Sequence, residues 1–131
     1  MHRAPIKEWT AHGIPCRITP GFKSLNGYVQ LPEELRTLNP IPRDIHVPRH
    51  GLNYGPDEAG WIGFDTLHAW DHWAIDAVAT YLTEGEVAVM RWEEENFRSH
   101  EDRIEWTLER LIAETEDLAL RAASYSITPR L

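Results

Sequence analysis

Cysteine occurs once in the 131 residues, at Cys16. That excludes an intramolecular disulfide and any multi-cysteine zinc site, and it fits a reducing compartment. Basic residues are outnumbered, 13 against 21 acidic ones, for a net charge of −8. Attraction to a phosphate backbone is correspondingly weak, and long nucleic acid is not expected as a partner. There is no apolar run long enough to cross a bilayer and no signal-peptide core. The start, "MHRAPIKEWTAHG", is too polar for either, which predicts a soluble intracellular chain without a membrane partner. Neither GxxxxGK[ST] nor GxGxxG occurs, which disfavours the common nucleotide-binding loops.

The composition is that of a folded domain, with 42% apolar and 26% charged residues. Residues 1–13 read as an N-terminal extension and 14–131 as a single domain. "PCRITPGF" and "NGYVQLP" have the alternation and the Pro or Gly ends of short strands. "RDIHVPRHGLNYG" reads as an extended segment, and Pro48 makes an edge strand or a bulge a better fit than a central strand. "GWIGFDTLH" follows a turn at "GPDEAG" and could pair with it as a hairpin. Between Trp70 and Glu84 the apolar spacing favours a short helix ended by Gly85. "WEEENF" reads as a surface segment. The clearest pattern lies between about Asp102 and Ala123, where Ile104, Leu108, Leu111, Ile112, Thr115, Leu118, Ala119 and Ala122 form one stripe. Ser99 to Asp102 has the form of a capping box, and Thr107 offers a second start. The expected fold is α+β: a small, mostly antiparallel sheet packed by a long C-terminal amphipathic helix, with a second short helix.

The stretch "HGLNYGPDEAGWIGFDTLHAWDHW", residues 50–73, holds three Trp, three His and three Asp in 24 positions. Asp65, His68 and Asp71 recur every third residue, close enough to cluster on a helical turn or a folded loop. With His50 they offer imidazole and carboxylate, groups that can bind a divalent metal or act as a general base and its orienting partner. The spacing matches no strict metalloenzyme motif, and no cofactor is named by it. Gly51 and its neighbouring glycines could bring backbone amides to a ligand. Strand alternation places Trp61 with Asp65, and Ile62 with Phe64 on the opposite, core face. Aromatic surface beside fixed polar groups suits a planar ligand. A structural reading stands beside this one: Asp65 capping a turn, His68 donating to backbone carbonyls, Asp71 capping a helix that begins near His72.

"CRI", "LNGYVQLPE", "HGLNY", "GWIGFDTLHAWD" and "WTLERLIAETEDLA" together resemble a family of short bacteriophage and prophage proteins. Its pattern runs GYV-x-[LV]-P, HGG-[LI]-T-[YF], W-x-GFD-x-x-H-x-x-D and a closing E-x-x-x-LA helix. The resemblance covers about residues 14–123; this chain has HGLNY at the second motif and Trp70 before Asp71. It implies a phage accessory protein in the cytoplasm of a bacterial host and brings no settled reaction. Three functions are then open. The first is a homo-oligomeric binder of a small anionic or nucleotide-like ligand, with contacts from His50, Gly51, Tyr54, Trp61, Asp65, His68 and Asp71, sequestering a host immune signal. The second is a small hydrolase of a nucleotide or similar ester, metal-assisted or not, with His68 as base, Asp65 or Asp71 as its orienting partner or metal ligand, and His50 as electrostatic stabiliser. The third is an inhibitor gripping a host enzyme through the last helix or the acidic 93–117 face.

Overall fold

The computed structural model describes residues 3–48, 50–97 and 103–125. Strands β1 (Lys7–Ala11), β2 (Ile14–Gly21), β3 (Ser24–Gln30) and β4 (Trp61–Phe64) form an antiparallel sheet in that order. Residues 7–11, expected within an extension, thus supply its edge strand. His12 and Gly13 turn the chain between β1 and β2, both with positive φ, as a two-residue hairpin turn with the right twist requires.

Pairing sets Cys16 against Val29 and Val29 against Ile62, and Ile18 against Gly27 and Gly27 against Phe64. One face therefore carries Cys16, Ile18, Leu25, Val29, Ile62 and Phe64, all at most 1% exposed. Across it lies the long C-terminal helix, Leu108–Ser124, burying Leu111, Thr115, Leu118, Ala119 and Ala122. Each fully buried leucine or isoleucine here contributes about 1.5–3 kcal/mol. The α+β class and the helix-on-sheet packing are as expected.

The helix starts later than the capping-box pattern suggests. Thr107 is its N-cap, its hydroxyl accepting from the Arg110 amide at 3.1 Å. Ser99 and Asp102 lie outside the described residues. Ile104–Trp106 is instead a strand, paired in parallel with Asp71–Trp73. In chain order these are β5 (Asp71–Trp73) and β6 (Ile104–Trp106). The helix expected between Trp70 and Glu84 is accordingly broken into β5, a single turn α1 (Ile75–Val78) and a 3-10 turn at Ala79–Tyr81. A three-residue ladder and the burial of Trp73 and Trp106 override a short helical periodicity. Gly85 ends nothing; it sits in the first turn of α2 (Glu84–Asn96), so the acidic "WEEEN" run is helical, and α3 is Leu108–Ser124. The "RDIHVPRHGLNYG" segment is not a strand either. Arg43–Ile45 is a 3-10 turn, and only Tyr54 bridges to Gly63. Pro48 removes an amide donor that a ladder would need.

Glu86 fixes α2 to the sheet. Its buried carboxylate takes hydrogen bonds from the Lys23 amide (2.7 Å), the Arg3 guanidinium (2.6 Å) and the Thr83 amide (3.1 Å), while its own amide donates to the Thr83 hydroxyl in a capping box. Burial alone would raise its pKa; the hydrogen bonds outweigh it and bring it down to about 2. Among the described residues no helix is long and apolar enough to cross a membrane.

Gly27 allows α3 its close approach, since a Cβ there would lie 2.2 Å from Thr115 Oγ1. Gly27→Ala is expected to cost about 1–3 kcal/mol in denaturant unfolding, and Thr115→Ala to restore part of that loss in the double variant. Equal stability of Gly27→Ala and wild type would contradict the packing.

Candidate functional site

Beyond β4 the chain folds back through a loop that its own side chains close. Asp65 Oδ1 accepts from the Leu67 amide at 3.3 Å, and Asp71 Oδ2 accepts from the His68 amide at 2.9 Å, while the Asp71 amide donates to the His68 carbonyl. This returns the His68 ring to Asp71, with Nδ1 2.9 Å from Oδ2 and 3.6 Å from Asp65 Oδ1. The other oxygen of Asp71 accepts from Trp106 Nε1 at 2.8 Å. The Asp71 side chain has no exposure, whereas His68 is 30% exposed. Because the carboxylate accepts, the hydrogen is assigned to Nδ1, and Nε2 presents a lone pair. Among the described residues Nε2 makes no hydrogen bond. Trp70 stacks on the imidazole, centroids 4.7 Å apart and planes within 4°, and is itself 43% exposed.

Asp65, His68 and Asp71 are thus brought together, and the other expected contacts lie elsewhere. His50 is a core residue, stacked on Phe64 at 5.3 Å and tilted on Trp106 at 5.1 Å. Its Nε2 is 3.6 Å from Glu114, and its buried Nδ1 has no partner among the described residues. Trp61 is on the opposite sheet face from Ile62 and Phe64, buried beneath the Arg17 guanidinium, which sits 4.2 Å above its ring. Tyr54 is edge-on to Tyr28 and donates to Asp57 at 3.0 Å. Gly51, with φ +65°, has no atom within 4 Å of where a Cβ would be. Asp71 is not a helix cap but the first residue of β5.

A groove of about 1150 Å³ runs between α2 and the β5–β6 pair, its walls including Thr66, Asp71, Trp73, Met90, Glu93 and Phe97. Among the described residues that line it, Lys23 pairs with Glu93 and Arg103 with Glu105. His72 spans the same boundary, one ring nitrogen 2.6 Å from Glu94 on α2 and the other 2.6 Å from Glu105 on β6. Burial pushes the Glu105 carboxyl up, but its hydrogen bonds to His72 and Arg103 bring it below the usual range. The described lining is acidic and poorly suited to an anion. Among the described residues no group of three His, Cys, Asp or Glu is placed to hold a metal ion.

Trp106 at Asp71 and Glu114 beside His50 are contacts that no local pattern anticipates. Both lie more than 30 residues beyond Asp71 in the sequence, and only the β5–β6 ladder brings Trp106 to it. Comparison with protein-family models, functionally described proteins and solved structures gives no match to this chain. The class defined by fold and site is a small α+β protein with an oriented histidine at a sheet rim.

Burial lowers the His50 pKa from its ordinary 6.5 and Arg110 adds to that, while Glu114 and Asp71 pull it up without reversing the shift. As pH falls through 6.5 the unfolded chain gains a proton that folded His50 resists, so stability is complete above that pH and drops below it. His50→Phe keeps an aromatic ring against Phe64 and Trp106. Its melting midpoint is expected to fall less than that of wild type between about pH 7.5 and about pH 5.5. Parallel pH profiles would contradict a buried, neutral His50.

Proposed function

We propose that the protein binds a small planar heterocycle, with His68 Nε2 as polar anchor and Trp70 as stacking platform. The observation that carries this reading is the pairing of an imidazole oriented by buried Asp71 with a half-exposed indole stacked on it. Nε2 faces outward as an acceptor for an N–H or O–H of the ligand, and the ring face of Trp70 away from His68 is the natural surface for a flat one. Asp65 and the acidic groove nearby favour a neutral or cationic heterocycle, or the base portion of a nucleotide, over recognition through phosphate. In the phage setting that the motif resemblance implies, such a protein would act in the bacterial cytoplasm by sequestering a host signal.

A second reading rests on the same pair: His68 acting as general base toward water, oriented by Asp71. No hydroxyl or thiol among the described residues hydrogen-bonds to His68, so water is the nucleophile in that case.

The test is a panel of free purine and pyrimidine bases, nucleosides and nucleotides, followed by thermal shift and calorimetry, with product analysis for turnover. Base stacking is worth about 1–3 kcal/mol, so Trp70→Ala should weaken binding by about fivefold to about 150-fold. His68→Ala should also weaken it, and Trp61→Phe, on the other sheet face, should not. A panel without binders, or binding indifferent to Trp70, would overturn the proposal.

A further inference from the structure

Among the described residues three ion pairs fasten α2 to the rest of the fold. Glu86 in its first turn takes Arg3, Glu93 takes Lys23, and Glu94 in its last turn takes His72. Only Glu86 and Met90 are buried along the helix, so polar pairs carry much of its attachment. The first two partners are a guanidinium and an ammonium. The third is an imidazole, the side-chain type that gains or loses its charge near neutral pH.

His72 has a carboxylate at each ring nitrogen, Glu105 2.6 Å from Nδ1 and Glu94 2.6 Å from Nε2. A neutral imidazole carries one N–H, and only the imidazolium donates from both nitrogens. The bridge is therefore built for the charged ring. Its two halves differ. His72 faces Glu105 in the β5–β6 register, so that contact is local to the ladder. Glu94 comes from another element and has no other hydrogen bond or ion pair among the described residues. When the ring loses a proton, Glu105 keeps the remaining N–H, and Glu94 meets a lone pair at hydrogen-bond distance and withdraws. We infer that His72 is a proton-operated clasp on the groove between α2 and β5–β6. Charged, it pins the last turn of α2 across the groove; neutral, it releases that turn and opens the way to buried Trp73 and Met90, which line it.

The other described charges that line the groove leave this role to His72. On α2, Glu93 is paired with Lys23 of the β2–β3 hairpin, and Glu95 is exposed. Beside β6, Arg103 is paired with Glu105. On β5, Asp71 is occupied by His68 and Trp106. Since the proton favours the closed form, the clasp holds at low pH and opens as pH rises through the titration of His72. Buried His50 acts in the opposite sense, because it costs the whole fold stability as pH falls. General loosening of the protein therefore cannot imitate the opening.

A pH titration of the full chain by NMR, with a soluble nitroxide present, tests this. Methionine occurs only at Met1 and Met90, so the Met90 methyl signal is readily assigned, and its broadening by the nitroxide measures its access to solvent. The ring ¹H–¹³C shifts of His72 report its charge in the same samples. A partly exposed ion pair shifts an opening equilibrium by up to about fivefold. Broadening of Met90 should accordingly rise by about twofold to about fivefold, with the midpoint of the His72 titration. Glu94→Gln, at an exposed helix position, keeps the fold and should remove the dependence, because an amide can pair with either form of the ring. His72→Gln should remove it as well. Broadening that stays level while His72 titrates overturns the inference, as does a pH dependence that survives in Glu94→Gln.

Discussion

A carboxylate with no solvent exposure must be hydrogen-bonded from within the protein, because an unpaired buried charge costs several kcal/mol. Asp71 meets that requirement with donors from two separated stretches: the backbone and ring of His68, three residues before it, and the indole of Trp106, far along the chain. Much else is fixed as a result. The His68 loop closes, β6 lies beside β5, and the indole is held in its plane while its faces pack against His50 and Trp73. Trp73 in turn donates to Thr66, which donates to the Leu25 carbonyl on β3, so the small parallel pair is tied to the main sheet by a chain of buried polar contacts.

Two histidines that the sequence places in one suggestive stretch end in different environments. In the core His50 packs against the rings of Phe64 and Trp106, with one nitrogen unpartnered among the described residues and its proton disfavoured by burial. At the rim His68 has a carboxylate behind it, a stacked indole beside it and an outer nitrogen that makes no hydrogen bond among the described residues. The same side chain is packing material in one environment and a chemical group in the other. His72 takes a third role, bridging Glu94 and Glu105 across the boundary between α2 and β6.

Where the sequence is legible, the signal is local. Alternation in "PCRITPGF" and "NGYVQLP" identifies β2 and β3, and the stripe from Leu108 to Ala122 identifies α3, because one buried face imposes one period. The Asp65, His68 and Asp71 cluster is legible for the same reason: i+3 spacing brings residues together in any tight loop. The β5–β6 ladder is not, since its three pairs join segments about thirty residues apart, and nothing local marks them. Tyr54 and Trp61 looked like ligand contacts because aromatics beside Gly and Asp suit a pocket. Arg17 and Tyr28, which occupy those rings, come from strands earlier in the chain. Helix α2 did carry a local mark, the Thr83-x-x-Glu86 capping box, outweighed by the acidic run that follows it.

The central claim is that Asp71 holds the proton of His68 on Nδ1 and leaves Nε2 as the outward-facing acceptor. Long-range ¹H–¹⁵N correlation spectra of the imidazole, at a pH where the ring is neutral, read the tautomer directly. The account predicts the Nδ1–H form for His68 in the wild type and its loss in Asp71→Ala. An Nε2–H ring in the wild type would contradict it.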